Sequence, residues 1–168
     1  MKRLFVDMDG TLTVFNPNAT ENQIMGEHGY YAHLDPHPGL VNAIYDLVAR
    51  NLTEVFILSA VTNEVAKNQK NYWLNCYLPL IDDKHRLFIP YGTDKNAFLN
   101  PNENDFLLDD FSKNLHSWKG VGIKCRNCVN GTKGTWKSFS IDANDDEETL
   151  LNNLLLIMAS DEKKLLVS

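Results

Sequence analysis

A chain of 168 residues, 43% hydrophobic and 23% charged, has the make-up of one soluble globular domain that can bury a core without disulfides. Its formal net charge of −6 argues against a general binder of nucleic-acid polymers, and no apolar run approaches the ~20 residues of a membrane-spanning helix. Acids at Asp7 and Asp9 interrupt any signal-peptide core after Met1-Lys2-Arg3, and three cysteines, an odd number, read as reduced thiols. A cytoplasmic protein is the expectation.

Leu4-Phe5-Val6 is a continuous apolar run that predicts a short buried strand over 2–6. It delivers Asp7 and Asp9 to its carboxyl end, where Gly10 and Thr11 let the chain turn away. Because a strand repeats every two residues, the two carboxylates emerge near each other. Their repulsion calls for a bound cation or a shared proton.

From Thr13 to Pro36 the pattern dissolves into Asn16-Pro17-Asn18, two glycines, two histidines and Tyr30-Tyr31. This stretch predicts a partly helical insertion over the strand ends, a lid or substrate loop of one domain spanning 1–168. A helix is expected from Pro38, with Leu40, Val41, Ile44, Leu47 and Val48 on one face. Residues 54–58 predict a second strand leaving at Ser59-Ala60, followed by a helix over 62–74. A third strand is expected at 86–89, then a turn at Gly92-Thr93-Asp94-Lys95.

Phe106-Leu107-Leu108 predict a fourth strand that ends in Asp109-Asp110. A short helix over 112–118 and a fifth strand over 121–124 follow. The segment from Asn127 to Gly134 reads as turns, and 136–141 as an edge strand. The acidic run Asp145-Asp146-Glu147-Glu148 suits the first turn of a last helix, whose apolar face carries Leu150, Leu151, Leu154, Leu155 and Met158. Strands alternating with helices imply an α/β layered fold with a mostly parallel sheet.

In such a sheet Asp7, Asp9, Ser59, Lys95, Asp109 and Asp110 gather at one edge, where open α/β sheets build their sites. Mg²⁺ takes oxygen ligands, usually one or two carboxylates with waters and a substrate phosphate, and Asp7 and Asp110 can supply the protein oxygens. One carboxylate, Asp7, is then placed to attack phosphorus, and Asp9 to protonate the leaving alcohol and later deprotonate a water. The Ser59 hydroxyl, backbone N–H groups around Ala60 and a lysine ammonium would hold the phosphoryl oxygens. Lys95 is preferred for its turn ahead of the Asp-Asp strand, with Lys67 and Lys70 as rivals. An EF-hand loop with Gly10 at its sixth position would need acids where Phe5 and Asn16 stand, and fails. Cys125-x-x-Cys128 lacks the second half of a zinc site and reads as structural.

Asp7-Met8-Asp9-Gly10-Thr11 after an N-terminal strand, then Ser59, Lys95 and Asp109-Asp110 in that order, resembles the haloacid dehalogenase superfamily of phosphotransferases. Within it the chain is most similar to the 5′(3′)-deoxyribonucleotidases, over roughly residues 3–125. Phe15, Tyr30-Tyr31-Ala32-His33-Leu34-Asp35-Pro36-His37-Pro38-Gly39, Phe56-Ile57-Leu58-Ser59, Tyr72-Trp73-Leu74 and Thr93-Asp94-Lys95 carry that likeness.

The resemblance implies a Rossmann-like three-layer sandwich with a small helical cap at about 13–36. It implies a Mg²⁺-dependent phosphatase acting on a nucleoside monophosphate. Asp7 would be the nucleophile and Asp9 the acid/base. Asp7, the Asp9 carbonyl and Asp110 would bind the metal, Ser59, Ala60 and Lys95 the phosphate, and Phe15, Tyr30 and Tyr31 the nucleoside, with Gly10, Thr11 and Asp109 in support.

The chain departs from the family pattern at Ala60-Val61, at Asn63 in place of a lysine, at Phe111 in place of an arginine and in a shorter insertion. Other readings are a phosphatase for sugar phosphates or other small phosphomonoesters, and a non-catalytic phosphate-binding module.

Overall fold

The computed structural model describes residues 2–129 and 136–160. Six strands form one sheet: β1 Arg3–Val6, β2 Glu54–Val61, β3 Arg86–Pro90, β4 Asp105–Asp109, β5 Val121–Arg126 and β6 Ser140–Asp142. Their order is β3-β2-β1-β4-β5-β6, and every pairing is parallel. The helices are α1 Glu21–Ile24, α2 Pro38–Ala49, α3 Glu64–Tyr77, α4 Lys95–Leu99, α5 Ser112–Ser117 and α6 Glu147–Ala159. The α/β reading and the parallel sheet therefore hold, in a Rossmann-like arrangement.

Strand alternation builds the layers. Leu4 and Val6 point to one face, where they join Leu40, Ile44 and Leu47 of α2, Trp73 and Leu74 of α3, and Leu150 and Leu154 of α6. Phe5 points to the other face and packs with Leu58, Ile89, Leu107, Leu115 and Trp118. A strand covered on both faces must be apolar at every position, which is why β1 reads as an unbroken run.

Chain order then fixes where a site can form. After β1 the chain builds β2 and β3 on one side, then crosses to place β4 on the other. Neighbouring strands whose connections leave in opposite directions open a crevice at their carboxyl ends. Val6 sits level with Leu108, and the Asp7 N–H donates to the Leu108 carbonyl at 2.9 Å, so Asp7 emerges beside Asp109-Asp110.

Several element boundaries differ from expectation for local reasons. β2 runs on to Val61, so Ser59 lies inside the strand. α3 starts at Glu64 because the Asn63 side chain accepts from the Ala66 N–H and caps it. Lys95 is not in a turn but is the first residue of α4, which Asp94 caps. The edge strand expected at 136–141 is only Ser140–Asp142, since Trp136 turns inward against Gly122 and donates its indole N–H to the Phe139 carbonyl. Part of the expected turn segment, 130–135, lies outside the described residues.

Between β1 and α2 the chain forms α1 and a kinked 3₁₀ segment, Glu27–His33, with left-handed backbone at His28 and Gly29. Trp73 ties this excursion to α3: it is fully buried and donates its indole N–H to the Leu34 carbonyl at 2.8 Å. Trp73→Ala is expected to cost about 3–5 kcal/mol in chemical denaturation, the usual range for emptying a buried aromatic site. Trp73→Phe, which retains most of the volume and loses the N–H, is expected to cost clearly less.

Candidate active site

The carboxyl ends of β1 and β4 bring together Asp7, Asp109 and Asp110, each buried, with carboxylate oxygens within 4.8 Å of one another. Lys95 reaches across from α4 and donates to Asp7 Oδ1 at 2.6 Å and to Asp109 Oδ2 at 2.7 Å. Asp109 also accepts from the Phe111 N–H and the Asn114 amide, so its carboxylate serves to hold Lys95 and the turn after β4. Phe111 thus contributes its backbone; its ring is half exposed.

Burial pushes the Asp7 carboxyl up to about 8 against the pull of Lys95, with the neighbouring acids adding to the rise. Burial works against the Lys95 ammonium, but the Asp109 and Asp7 charges outweigh it and raise its pKa. The donor set of three buried carboxylates is the kind a hard divalent cation takes, and such a cation would offset the burial and the neighbouring negative charge that raise the Asp7 pKa.

Gly10 makes the close approach possible. Its φ is +83°, and a Cβ there would lie 2.3 Å from Asp110 Oδ2. Asn127, from the segment after β5, donates to the Gly10 carbonyl at 2.7 Å and to Asp110 Oδ2 at 3.1 Å. Lys124 of β5 donates to the Asp110 carbonyl and, at 2.9 Å, to Ser112 Oγ. These two residues fix the Asp110 turn from behind.

Asp9 is turned differently. Its Oδ2 accepts from Lys70 Nζ at 2.5 Å, while Oδ1 is buried and has no hydrogen-bond partner among the described residues. Lys70 also donates to Ser59 Oγ at 2.9 Å and to the Ala60 carbonyl at 2.7 Å. Ser59 and Lys70 are fully buried. The Ser59 hydroxyl accepts from Lys70 and keeps its own O–H to donate. Thr11 is also fully buried, its hydroxyl without a partner among the described residues. Lys67, the other rival, is only partly buried and pairs with Glu64 at 3.3 Å, away from the carboxylate cluster.

Beside Asp9 lies a cavity of about 320 Å³, within the size range of small-molecule sites. Asp9, Gly10 and Ala60 line it together with the aromatic side chains of Phe15, Tyr30, Tyr31 and Tyr91. The Tyr30 and Tyr31 rings meet edge to face at 5.0 Å. Asn63, where the family pattern has a lysine, spends its amide on the Met25 carbonyl at 3.0 Å and so helps seat the excursion.

Tyr91, Lys124 and Asn127 are site residues not expected from the sequence, and Lys70 was expected only as a rival of Lys95 for phosphate. Lys70 carried a usable signal, since it falls on the buried face of α3 with Ala66, Trp73 and Leu74. Lys124 carried another, as a charge inside the apolar strand β5. Of the cysteines, Cys125 is buried in β5, while Cys76 and Cys128 are exposed; all three are free thiols.

A Rossmann-like sheet with Asp-x-Asp at β1, a serine at β2, a lysine ahead of β4 and Asp-Asp at its end defines a haloacid dehalogenase-like phosphatase. Residues 6–140 match the family described as 5′ nucleotidase, deoxy (pyrimidine), cytosolic type C protein, and the chain belongs to that family of 5′-nucleotidases. No curated protein sequence is similar enough to the chain to be matched to it.

One consequence concerns pH. The Asp7 pKa rises from 3.8 to about 8 on folding, so between those values the folded protein binds more protons than the unfolded chain. Stability of the metal-free protein is therefore expected to fall as pH rises through that window. Chelator-treated wild type and Asp7→Asn, compared by urea denaturation from acid to mildly basic pH, should show a shallower decline in the variant.

Proposed function

We propose that the chain is a Mg²⁺-dependent 5′(3′)-deoxyribonucleotidase that hydrolyses nucleoside monophosphates through an aspartyl-phosphate on Asp7. The observation that carries this reading is the junction at Asp9, where an aromatic-walled cavity meets the buried carboxylate cluster. Aromatic walls suit a planar base better than a sugar. The family's description, which names deoxy and pyrimidine substrates, supports the same class. Its cytosolic designation supports a cytoplasmic enzyme, and no helix among the described residues is long and apolar enough to cross a membrane.

In this proposal Asp7, the Asp9 carbonyl and Asp110 hold Mg²⁺. When bound, the ion offsets the carboxylate charge and polarises the phosphoryl oxygens. A carboxylate oxygen of Asp7 attacks phosphorus, the bond from phosphorus to the ester oxygen breaks, and that oxygen takes a proton from Asp9. Asp9, now a carboxylate, removes a proton from water. The water oxygen attacks phosphorus and the bond to Asp7 breaks, releasing inorganic phosphate. The segment 13–36 acts as the cap that holds the nucleoside through Phe15, Tyr30 and Tyr31, with Gly10 and Thr11 shaping the turn beneath.

Donor counting favours Lys95 as the phosphate cation. An ammonium has three N–H donors. Lys70 uses all three on Asp9, Ser59 and Ala60. Lys95 uses two, on Asp7 and Asp109, among the described residues. Its third, with the Ser59 O–H and the backbone at Ala60, is assigned to the phosphoryl oxygens.

Phosphate release from a panel of monophosphates tests the proposal. Wild type with Mg²⁺ should turn over dUMP and dTMP in preference to sugar phosphates, and Asp7→Asn should lose turnover by at least about a thousandfold, as expected for a missing nucleophile. Equal or better use of sugar phosphates would contradict the nucleotidase reading. Wild-type release no faster than that of Asp7→Asn would contradict catalysis altogether. Tyr91, 76% exposed at the cavity wall, should act on binding. Tyr91→Ala is expected to raise KM for dTMP several-fold, on the order of one lost stacking contact, with kcat nearly unchanged.

A further inference from the structure

We infer that Lys70 is a positioning residue: it fixes Asp9 and Ser59 relative to each other and ties that arrangement to Tyr31 of the 13–36 excursion. The inference rests on the reading of Asp9 as acid/base and extends it to a residue that touches neither phosphate nor metal in the proposed site. Placing an ammonium on the apolar face of a helix is costly unless its charge and donors are satisfied. Lys70 is fully buried on that face of α3, and its three acceptors converge from two elements: Asp9 after β1, and Ser59 and Ala60 within β2.

The geometry gives each acceptor a consequence. Binding Asp9 Oδ2 fixes the carboxylate and leaves Oδ1 as the oxygen without a partner. Donating to Ser59 Oγ occupies a lone pair of that hydroxyl and leaves its O–H as a donor. Holding the Ala60 carbonyl fixes the backbone where it lines the cavity.

Lys70 also stands 4.7 Å from the centroid of the Tyr31 ring, a cation–π distance. Tyr31 is anchored on both sides, its hydroxyl donating to the Ile24 carbonyl at 2.9 Å and its N–H to Gln69 Oε1 at 3.1 Å. Gln69 precedes Lys70 on α3 and donates in turn to the Gly26 carbonyl. Seating of the excursion and orientation of Asp9 therefore share one side chain. A cation held against an aromatic face and three acceptors in a dry setting has few alternative positions, which is what a proton carrier needs of its support.

The test is a comparison of leaving groups. Rapid-quench single turnovers of wild type and Lys70→Met are followed with dTMP, whose alkoxide must be protonated on leaving, and with p-nitrophenyl phosphate, whose phenolate need not be. Lys70→Met should slow leaving-group release from dTMP at least about tenfold more than from p-nitrophenyl phosphate. The inhibition constant of inorganic phosphate should stay within about twofold. In an Asp9→Asn background the Lys70→Met change should add little, because both act on one proton transfer.

A large rise in the phosphate inhibition constant would make Lys70 a phosphate ligand and overturn the inference. Equal slowing of both substrates would also overturn it, since the loss would then not run through Asp9. If Asp9→Asn alone leaves dTMP turnover unaffected, the acid/base reading itself fails, an outcome separate from either of these. Should Lys70→Met not fold, Lys70→Gln, which keeps two N–H donors, carries the same comparison.

Discussion

Four carboxylates crowded at the carboxyl ends of two adjacent strands are the constraint on which the rest of this molecule depends. Asp7, Asp109 and Asp110 are buried, and Asp9 lies next to them with one oxygen out of contact with water. Such a cluster is stable only with compensating charge and directed hydrogen bonds. Lys95 bridges two of the acids and Lys70 holds a third, while Lys124 and Asn127 secure the turn that carries Asp110. The acids still outnumber these ammoniums, and burial drives the Asp7 carboxyl upward. A site that tolerates excess negative charge in this way is suited to a divalent cation and, through it, to a phosphate.

Topology turns that constraint into a working surface. β1 lies between β2 and β4, so its carboxyl end faces the serine strand on one side and the paired aspartates on the other. The excursion from β1 to α2 then folds back over the same edge. Its anchors include Trp73 to Leu34, Asn63 to Met25, and Gln69 to Gly26 and Tyr31, from α3 or its cap, with Thr62 just before the cap donating to the Ile24 carbonyl. One helix thus seats the aromatic wall and, through Lys70, steadies Asp9.

Much of this was legible in the sequence because it depends on short-range pattern. The unbroken apolar run Leu4-Phe5-Val6 marks a doubly covered strand, and the spacing of Asp7 and Asp9 follows from strand periodicity. The pairing of Asp109-Asp110 with a fourth apolar run placed the second half of the cluster. What was not legible depends on contacts between distant segments. Asn127 meets Gly10 across 117 positions, and no local pattern announces it. Ser59 read as leaving the strand because the apolar run ends at Leu58, whereas β2 continues to Val61 before Asn63 caps α3. The edge strand was overestimated because Trp136 and Phe139 suit a strand by type, but tertiary packing against Gly122 draws the indole inward. Lys70 stood in view as a charge on an apolar helix face; only the convergence of three acceptors reveals its use.

The proposed chemistry turns on Asp7 as the carrier of the phosphoryl group. It is tested most directly by acid-quenching the enzyme during turnover of dTMP with Mg²⁺ and mapping the protein by mass spectrometry. The expected result is a peptide containing Asp7 that is heavier by one phosphoryl group, labile to hydroxylamine and missing in Asp7→Asn. Phosphate release at full rate with no such adduct, or an adduct on Asp9 or Ser59 instead, would contradict it.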